Sequence, residues 1–167
     1  MNDQGFVEAQ HALTLIQKYL GPTFTLTQLL DFIAFCREKD GVRVEEQSLP
    51  IGKWAYCFAF QDVDLIVVRE GLEPLRWLQA CLHECAHFLL RHIPRVSAGP
   101  TTTTFAEFQR GGELCQAVYQ ALGDDDENLY SRPQEWAAET LATLLLACMS
   151  TGENGMPQLA RDLYGDE

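Results

Sequence analysis

Hydrophobic residues recur at helical spacing in several long segments of the chain and alternate with polar residues in one segment between them. We predict helices over residues 6–20, from Thr25 to about residue 40, from Pro74 to about His92 and from Arg132 to about Ser150, with short helices over 113–122 and 157–163. The segments 25–28 and 131–134 (Thr-Leu-Thr-Gln and Ser-Arg-Pro-Gln) have the spacing of a helix-starting capping box. Gly41 is expected to end the second helix, and Pro94 prevents the third from continuing.

Residues 42–70 change to a period of two, which predicts a small, mainly antiparallel sheet. Val42 and Val44 alternate with charged residues, and a compact apolar run follows at 65–68. In the segment 53–60, four aromatic residues lie on one face. We interpret them as core packing, although the edge of such a strand could also bind an extended peptide.

A long polar segment separates the third predicted helix from the last long one. Residues 95–111 are expected to form a loop, and residues 123–127 (Gly-Asp-Asp-Asp-Glu) an acidic, solvated loop. We interpret the segment 95–130 as a flexible surface insertion, with a lid or substrate-docking loop as the alternative. The length of 167 residues predicts a single domain over residues 1–167.

The composition narrows the range of partners. The formal net charge is −12, which disfavours direct binding to nucleic acid or to an anionic membrane surface, since both require a basic face. The longest nearly apolar run, residues 141–149, is too short to cross a bilayer. The N-terminal residues lack the pattern of a signal peptide, so we expect a cytoplasmic protein whose six cysteines are mostly buried free thiols.

The most specific motif is His83-Glu84-Cys85-Ala86-His87, an HExxH sequence inside the third predicted helix. Because residues four apart on a helix lie only ~40° apart around its axis, both imidazoles leave the same face and can bind one metal ion. Glu84 lies ~100° from His83 and can reach the open side of that ion. A carboxylate there can take a proton from a metal-activated water, as zinc hydrolases require.

A hydrolytic zinc ion usually takes three protein ligands and a water. Cys81 and Cys85 point towards the core stripe of the helix, and His92 is rotated ~140° from the second motif histidine, so a helix-end role is expected for His92. The best candidates for the third ligand are Glu135 and Glu139, which share one face of the last long helix. One would bind the ion and the other would accept a ligand imidazole N–H; alternatively, both are solvated carboxylates in a first turn.

Two segments resemble the ImmA/IrrE family of metallopeptidases. Residues 64–70 and 76–92 (Asp-Leu-Ile-Val-Val-Arg-Glu, then Arg-Trp-Leu-Gln-Ala-Cys-Leu-His-Glu-Cys-Ala-His-Phe-Leu-Leu-Arg-His) are similar to the strand and HExxH helix of that family. Residues 135–146 (Glu-Trp-Ala-Ala-Glu-Thr-Leu-Ala-Thr-Leu-Leu-Leu) are similar to its second motif. The resemblance covers roughly half the chain and departs from the family pattern at three motif positions: Ala86, Glu139 and Leu141.

The resemblance implies a zinc ion bound by His83, His87 and Glu135, with Glu84 as the general base. It implies an α+β, zincin-like fold, in which a small, mainly antiparallel sheet packs on a long HExxH helix and on a second, ligand-bearing helix. The implied activity is cleavage of a helix-turn-helix transcriptional repressor, which relieves repression of stress, DNA-damage or mobile-element genes.

Other functions remain open at this point. The chain could be a non-catalytic binding module or antirepressor that sequesters a repressor or antitoxin, with a structural or vestigial zinc site. It could also be a zinc hydrolase that acts on a small amide. The residue that stabilises the oxyanion of the reaction is open among four candidates: Tyr130, Tyr119, Arg76 and His92.

Overall fold

The computed structural model describes residues 3–49, 51–92, 104–110 and 130–149. Its elements, in chain order, are α1 (Asp3–Leu20), α2 (Leu26–Cys36), β1 (Gly41–Gln47), β2 (Ala55–Ala59), β3 (Val63–Arg69), α3 (Pro74–Leu89), α4 (Phe105–Arg110) and α5 (Arg132–Cys148). The class is α+β, as predicted. The predicted helices at 113–122 and 157–163, the acidic loop at 123–127 and most of the expected insertion lie outside the described residues.

Two long helices begin at the capping boxes that the sequence predicts. At the start of α2, Thr25 Oγ1 accepts a hydrogen bond from the Gln28 N–H at 3.1 Å, and the Gln28 side chain accepts one from the Thr25 N–H at 2.9 Å. At the start of α5, Ser131 and Gln134 make the same pair of bonds at 3.3 and 3.0 Å. Each box satisfies backbone N–H groups that have no partner inside the helix.

The end of α2 differs from the prediction. The helix ends at Cys36, and Glu38, with a φ of 56°, takes the left-handed conformation that Gly41 was expected to supply. The Lys39 N–H bonds to the Ala34 carbonyl at 2.9 Å and the Glu38 N–H to the Phe35 carbonyl at 3.2 Å, which is a Schellman motif. The motif reverses the chain early, so that Gly41 becomes the first residue of β1.

The sheet is mixed, which corrects the prediction of a mainly antiparallel one. Its strand order is β1-β3-β2, with β1 parallel and β2 antiparallel to the central β3. The apolar run of β3 is buried along its whole interior, as is usual for a strand that pairs in parallel and is covered on both faces. The chain passes from one edge of β3 to the other between β1 and β2, and β1, in which no residue is fully buried, remains at an edge.

Side chains of β3 alternate between two hydrophobic cores. Ile66 and Val68 face the main core, which lies between the sheet and the long helices, and Leu65 and Val67 face a smaller core on the other side. Three of the four alternating aromatic residues of the segment 53–60 are buried in the smaller core: Tyr56, Phe58 and Phe60. The core-packing interpretation is therefore confirmed for these three, whereas Trp54 is 47% exposed.

A short helix, α4, replaces part of the loop expected over residues 95–111. Thr104 Oγ1 accepts a hydrogen bond from the Glu107 N–H at 3.2 Å, and the Glu107 carboxylate accepts one from the Thr104 N–H at 3.1 Å. This is a third capping box, and its Thr-x-x-Glu spacing was visible in the sequence but was overlooked. The Phe105 ring then packs against Phe60, 5.4 Å away, and closes the smaller core.

Helix α5 is held against two other helices. It packs along α3, and α1 approaches it so closely that a Cβ added at Gly5 would lie 2.9 Å from Trp136 Cδ1. The absence of a side chain at Gly5 therefore lets α1 pack closely against α5 at Trp136 and Ala137. No helix of the described part of the chain is long and apolar enough to cross a bilayer.

Candidate metal centre

Helix α3 presents the two motif histidines to α5. The His83 and His87 Nε2 atoms lie 3.1 Å apart, as expected for imidazoles one turn apart on the same helix face. The His87 side chain is 1% exposed and that of His83 is 22% exposed. Both imidazoles therefore direct their Nε2 atoms to the same point at the interface of the two helices.

Glu135 completes the cluster from the first turn of α5. Its Oε2 lies 3.1 Å from His83 Nε2, and its Oε1 lies 3.5 Å from His87 Nε2. The ligand atoms of a tetrahedral ion with bonds of ~2.0–2.1 Å stand ~3.3 Å apart, which matches these separations. His83, His87 and Glu135 thus form a group that could hold a metal ion, and among the described residues no cysteine joins it.

Each histidine has a second contact, through Nδ1. Glu139 Oε2 lies 3.1 Å from His83 Nδ1, in the place that the sequence predicts for a carboxylate supporting a ligand. His92 Nδ1 lies 2.9 Å from His87 Nδ1, a contact that the expected helix-end role does not include. Because the partner of the second imidazole nitrogen orients a ligand histidine, both contacts belong to the site.

Tyr130 joins three elements at the cluster. Its ring stacks on the His87 imidazole, with centroids 3.6 Å apart and planes 11° apart, and its hydroxyl lies 3.1 Å from Cys57 Sγ on β2. Because Tyr130 directly precedes the N-cap of α5, it ties the start of the Glu135-bearing helix to α3 and to the sheet. The sequence indicates Tyr130 only as a candidate oxyanion donor, and no local signal predicts its stacking on His87.

Glu84 is buried beside the cluster. It is 6% exposed, and burial raises the pKa of its carboxyl, while the His83 and His87 imidazoles act in the opposite direction. Glu84 also lines the same cleft as His83 and Glu135. The carboxylate is therefore available to a molecule in the cleft and is more basic than an exposed glutamate.

The charges of the cluster are strongly coupled in the protein without metal. Burial lowers the pKa of His83, but hydrogen bonds to the Glu135 and Glu139 carboxylates outweigh burial and raise it to about 10. Although burial opposes it, hydrogen bonding to the two histidines holds the pKa of Glu135 far below its usual value. For His92, burial and then the proximity of His87 lower the pKa to about 4.

A cleft of about 640 Å³ runs beside the cluster, between β2, α3 and α5. Tyr130 and Arg76 line it, so two of the four candidate oxyanion donors face the cleft, whereas Tyr119 lies outside the described residues. Arg76 lies about two helical turns before His83. Its guanidinium pairs with Glu73 at 2.9 Å and lies over the Trp54 ring, 5.5 Å from the centroid.

Among the described residues, the buried cysteines belong to the core and no cysteine joins the ligand set. The free thiols of Cys57, Cys81 and Cys85 are buried, as the sequence analysis expected, whereas Cys36 is exposed. Cys115 lies outside the described residues. Burial raises the pKa of the Cys57 thiol well above its usual value, so this side chain is a neutral neighbour of the site.

The chain has no significant match among protein-family models, curated proteins or solved structures. The likeness to the ImmA/IrrE family therefore rests on the two sequence motifs. The contacts among His83, His87 and Glu135 are independent of that likeness, and they indicate a group suited to a metal ion.

Proposed function

We propose that this chain is a zinc-dependent endopeptidase with a zincin-like arrangement of helices. The observation that carries the proposal is the convergence of two imidazoles and one carboxylate at separations suited to a tetrahedral ion. Two nitrogen ligands and one oxygen ligand leave the fourth position of a zinc ion open, as in catalytic sites. The Glu84 carboxylate lines the adjacent cleft, where a general base is needed.

A bound zinc ion and Glu84 would have different roles in peptide hydrolysis. When bound, zinc supplies Lewis acidity, which activates water and polarises the scissile carbonyl. Glu84 accepts the proton of the attacking water and then delivers it to the amine that leaves. Because burial raises its pKa, Glu84 is a stronger base than a solvated carboxylate.

Strand β2 supplies an edge for an extended substrate. The Trp54 carbonyl accepts a hydrogen bond from the Arg69 N–H, and the Phe60 N–H donates one to the Val63 carbonyl. In an antiparallel ladder such pairs alternate, so every second residue of the segment between Trp54 and Phe60 bonds to β3. The alternate residues Ala55 and Cys57, which line the cleft, direct their backbone groups away from β3. Among the described residues no strand lies beyond β2, so a peptide can add to this edge.

The proposed substrate is a helix-turn-helix transcriptional repressor. This part of the proposal rests on the resemblance of the two motifs to the ImmA/IrrE family. The net charge of −12 favours the approach of a protein that exposes a basic DNA-reading face.

The test compares wild-type protein with Glu84→Gln, which preserves the size of the side chain and leaves the three proposed ligands in place. Each zinc-loaded protein is incubated with a native bacterial lysate, and new N-termini are identified by mass spectrometry. We expect new termini with wild-type protein only, enriched in helix-turn-helix repressors. Identical termini with both proteins would exclude Glu84-dependent proteolysis, and a repressor that is bound but uncut by wild-type protein would favour a sequestering module.

A further inference from the structure

The end of α3 folds back onto the metal centre. The His92 N–H bonds to the His87 carbonyl at 2.9 Å and the Arg91 N–H to the Phe88 carbonyl at 3.1 Å, which is a Schellman motif. Arg91 takes the left-handed conformation of this motif, with a φ of 58°. The reversal places residue 92 beside residue 87, the pair that usually makes a hydrophobic contact in this cap.

In this protein the cap contact is polar. His87 Nδ1 and His92 Nδ1 lie 2.9 Å apart, a hydrogen-bond distance that requires one proton between the two nitrogens. The His87 side chain is almost fully buried, so water does not compete for its Nδ1. On its face, the same imidazole is held by the stacked Tyr130 ring.

The contacts of His87 Nε2 indicate which of the two Nδ1 atoms carries the shared proton. His87 Nε2 faces His83 Nε2 and Glu135, so it is the nitrogen that would bind a metal ion. A neutral imidazole that binds through Nε2 carries its proton on Nδ1. His87 must then donate to His92 Nδ1, and His92 must carry its own proton on Nε2.

We propose that His92 is a positioning residue that selects the Nδ1–H tautomer of His87 and thereby tightens metal binding. The inference rests on the metal site of the proposed function but not on peptidase activity. The inference adds a fourth residue to the three proposed ligands. The hydrogen-bond acceptor for the buried His87 imidazole is the neutral histidine that the cap of α3 places beside it. His83, in contrast, has the exposed Glu139 carboxylate as its acceptor.

The comparison with α2 shows that the cap alone does not account for this contact. Helix α2 ends in the same motif, with Glu38 in the left-handed position. There the residue that corresponds to His92 is Lys39, whose ammonium donates to the Phe60 carbonyl and, at 3.4 Å, to the Gln61 carbonyl. The two ends thus have the same backbone geometry and different side-chain partners.

The experiment measures zinc affinity by competition with a chromogenic chelator at fixed pH for wild type, His92→Phe and His92→Gln. Phenylalanine keeps a ring but has no acceptor, and we expect zinc to bind ~10–100-fold more weakly. Glutamine keeps a carbonyl acceptor and is expected to stay within about threefold of wild type. In the zinc-loaded wild type, nitrogen NMR should show His87 protonated at Nδ1.

The outcomes separate this inference from the proposed function. Equal zinc affinity in wild type and His92→Phe, or equal losses in both variants, would overturn the role of His92. Tight zinc binding without proteolysis would overturn the proposed function while leaving the inference intact. If wild type does not bind zinc, both are wrong.

Variants of the cap give a second, independent test. Glycine adopts the left-handed conformation freely and valine disfavours it, so Arg91→Gly should keep zinc affinity and Arg91→Val should lower it as His92→Phe does. Glu38→Val disturbs the same motif in α2, away from the cluster, and is the matched control. Equal effects of Arg91→Val and Glu38→Val on zinc affinity would contradict the proposal.

Discussion

At the scale of single residues, His83 shows how the negative charges of the site are compensated without a metal ion. One imidazole nitrogen lies 3.1 Å from Glu135 and the other 3.1 Å from Glu139. The two carboxylates raise the pKa of His83 to about 10 against the effect of burial. At neutral pH a protonated imidazole therefore supplies the positive charge between carboxylates that a metal ion would supply in its place.

This protonation makes the stability of the metal-free protein depend on pH. The pKa of His83 rises from 6.5 in the unfolded chain to about 10 in the folded protein. Protonated His83 therefore stabilises the folded state fully below pH 6.5, and this contribution is lost as the pH rises to about 10. The unfolding free energy should fall by up to ~1.4 kcal/mol per pH unit between pH 6.5 and about 10. Urea unfolding with a chelator present measures it, and His83→Gln should remove most of the slope; an equal slope in both proteins would contradict the expectation.

The sequence predicted the positions of some residues of the site but not those of others. The spacing of His83 and His87 is local, and an α-helix converts it directly into a shared face. Glu135 was one of two carboxylates on a helical face, and the likeness to a family distinguished it. The contacts of His92 and Tyr130 could not be foreseen, because they depend on a left-handed residue without glycine and on how the start of α5 meets α3.

At the scale of elements, a helix cap positions one of the three proposed ligands. The Ser131–Gln134 box fixes the first turn of α5, and Glu135 lies inside that turn. The Thr25–Gln28 box does the same for α2, which carries no ligand. The two boxes are therefore a matched pair for separating stability from metal binding.

Removing either cap should destabilise the protein equally. We expect Ser131→Ala and Thr25→Ala each to lower the unfolding free energy by ~1 kcal/mol, because each leaves a backbone N–H without its partner. Only Ser131→Ala should also weaken zinc binding, since the first turn of α5 then frays around Glu135. Thermal unfolding and chelator competition measure the two effects; a loss of affinity with Thr25→Ala would show that general stability, and not the cap, controls binding.

The free edge of β2 leads to another expectation. Proline lacks an N–H but is tolerated on an edge strand where the N–H faces away from the sheet. Ala55→Pro should therefore preserve the fold and lower kcat/KM for a peptide substrate about fivefold, the equivalent of ~1 kcal/mol for one lost hydrogen bond. Ala59→Pro removes an outward N–H of the same strand beyond the cleft-lining residues and is the control; equal activity of both variants would count against binding at the edge.

Element types were easier to infer than element pairing. Periodicity and caps are local, and they identified α2, α3 and α5. Strand pairing is a non-local property, and the prediction of a mainly antiparallel sheet was wrong because no local signal shows that β1 pairs in parallel with β3. The Schellman end of α2 was missed because Glu38, and not a glycine, occupies the left-handed position.

At the scale of the whole molecule, one buried ion pair links the helical layer to the sheet. Asp64 on the central strand is fully buried, and both its oxygens bond to the guanidinium of Arg37, the C-cap residue of α2. The same guanidinium lies over the Phe88 ring of α3, 4.7 Å from its centroid. The Arg37 guanidinium thus connects α2, β3 and α3.

Neutralising one partner of this pair should be costly. We expect Asp64→Asn to lower the unfolding free energy by ~3 kcal/mol, because the partly buried Arg37 cation loses a fully buried counter-charge. Glu45→Gln, in the exposed pair with Arg43, should change it by less than ~1 kcal/mol. Urea unfolding of both variants measures the difference, and similar losses would show that Arg37 is compensated by solvent.

The placement of Trp54 gives the protein an optical reporter. The Trp54 indole is half exposed at the cleft wall under the Arg76 guanidinium, whereas Trp77 is buried and Trp136, which is also half exposed, lies beside α1 and does not line the cleft. A peptide that enters the cleft would shield this one indole from water, so its emission would move to shorter wavelength. Intrinsic fluorescence would then register occupancy directly, without any label and before a single bond is cut.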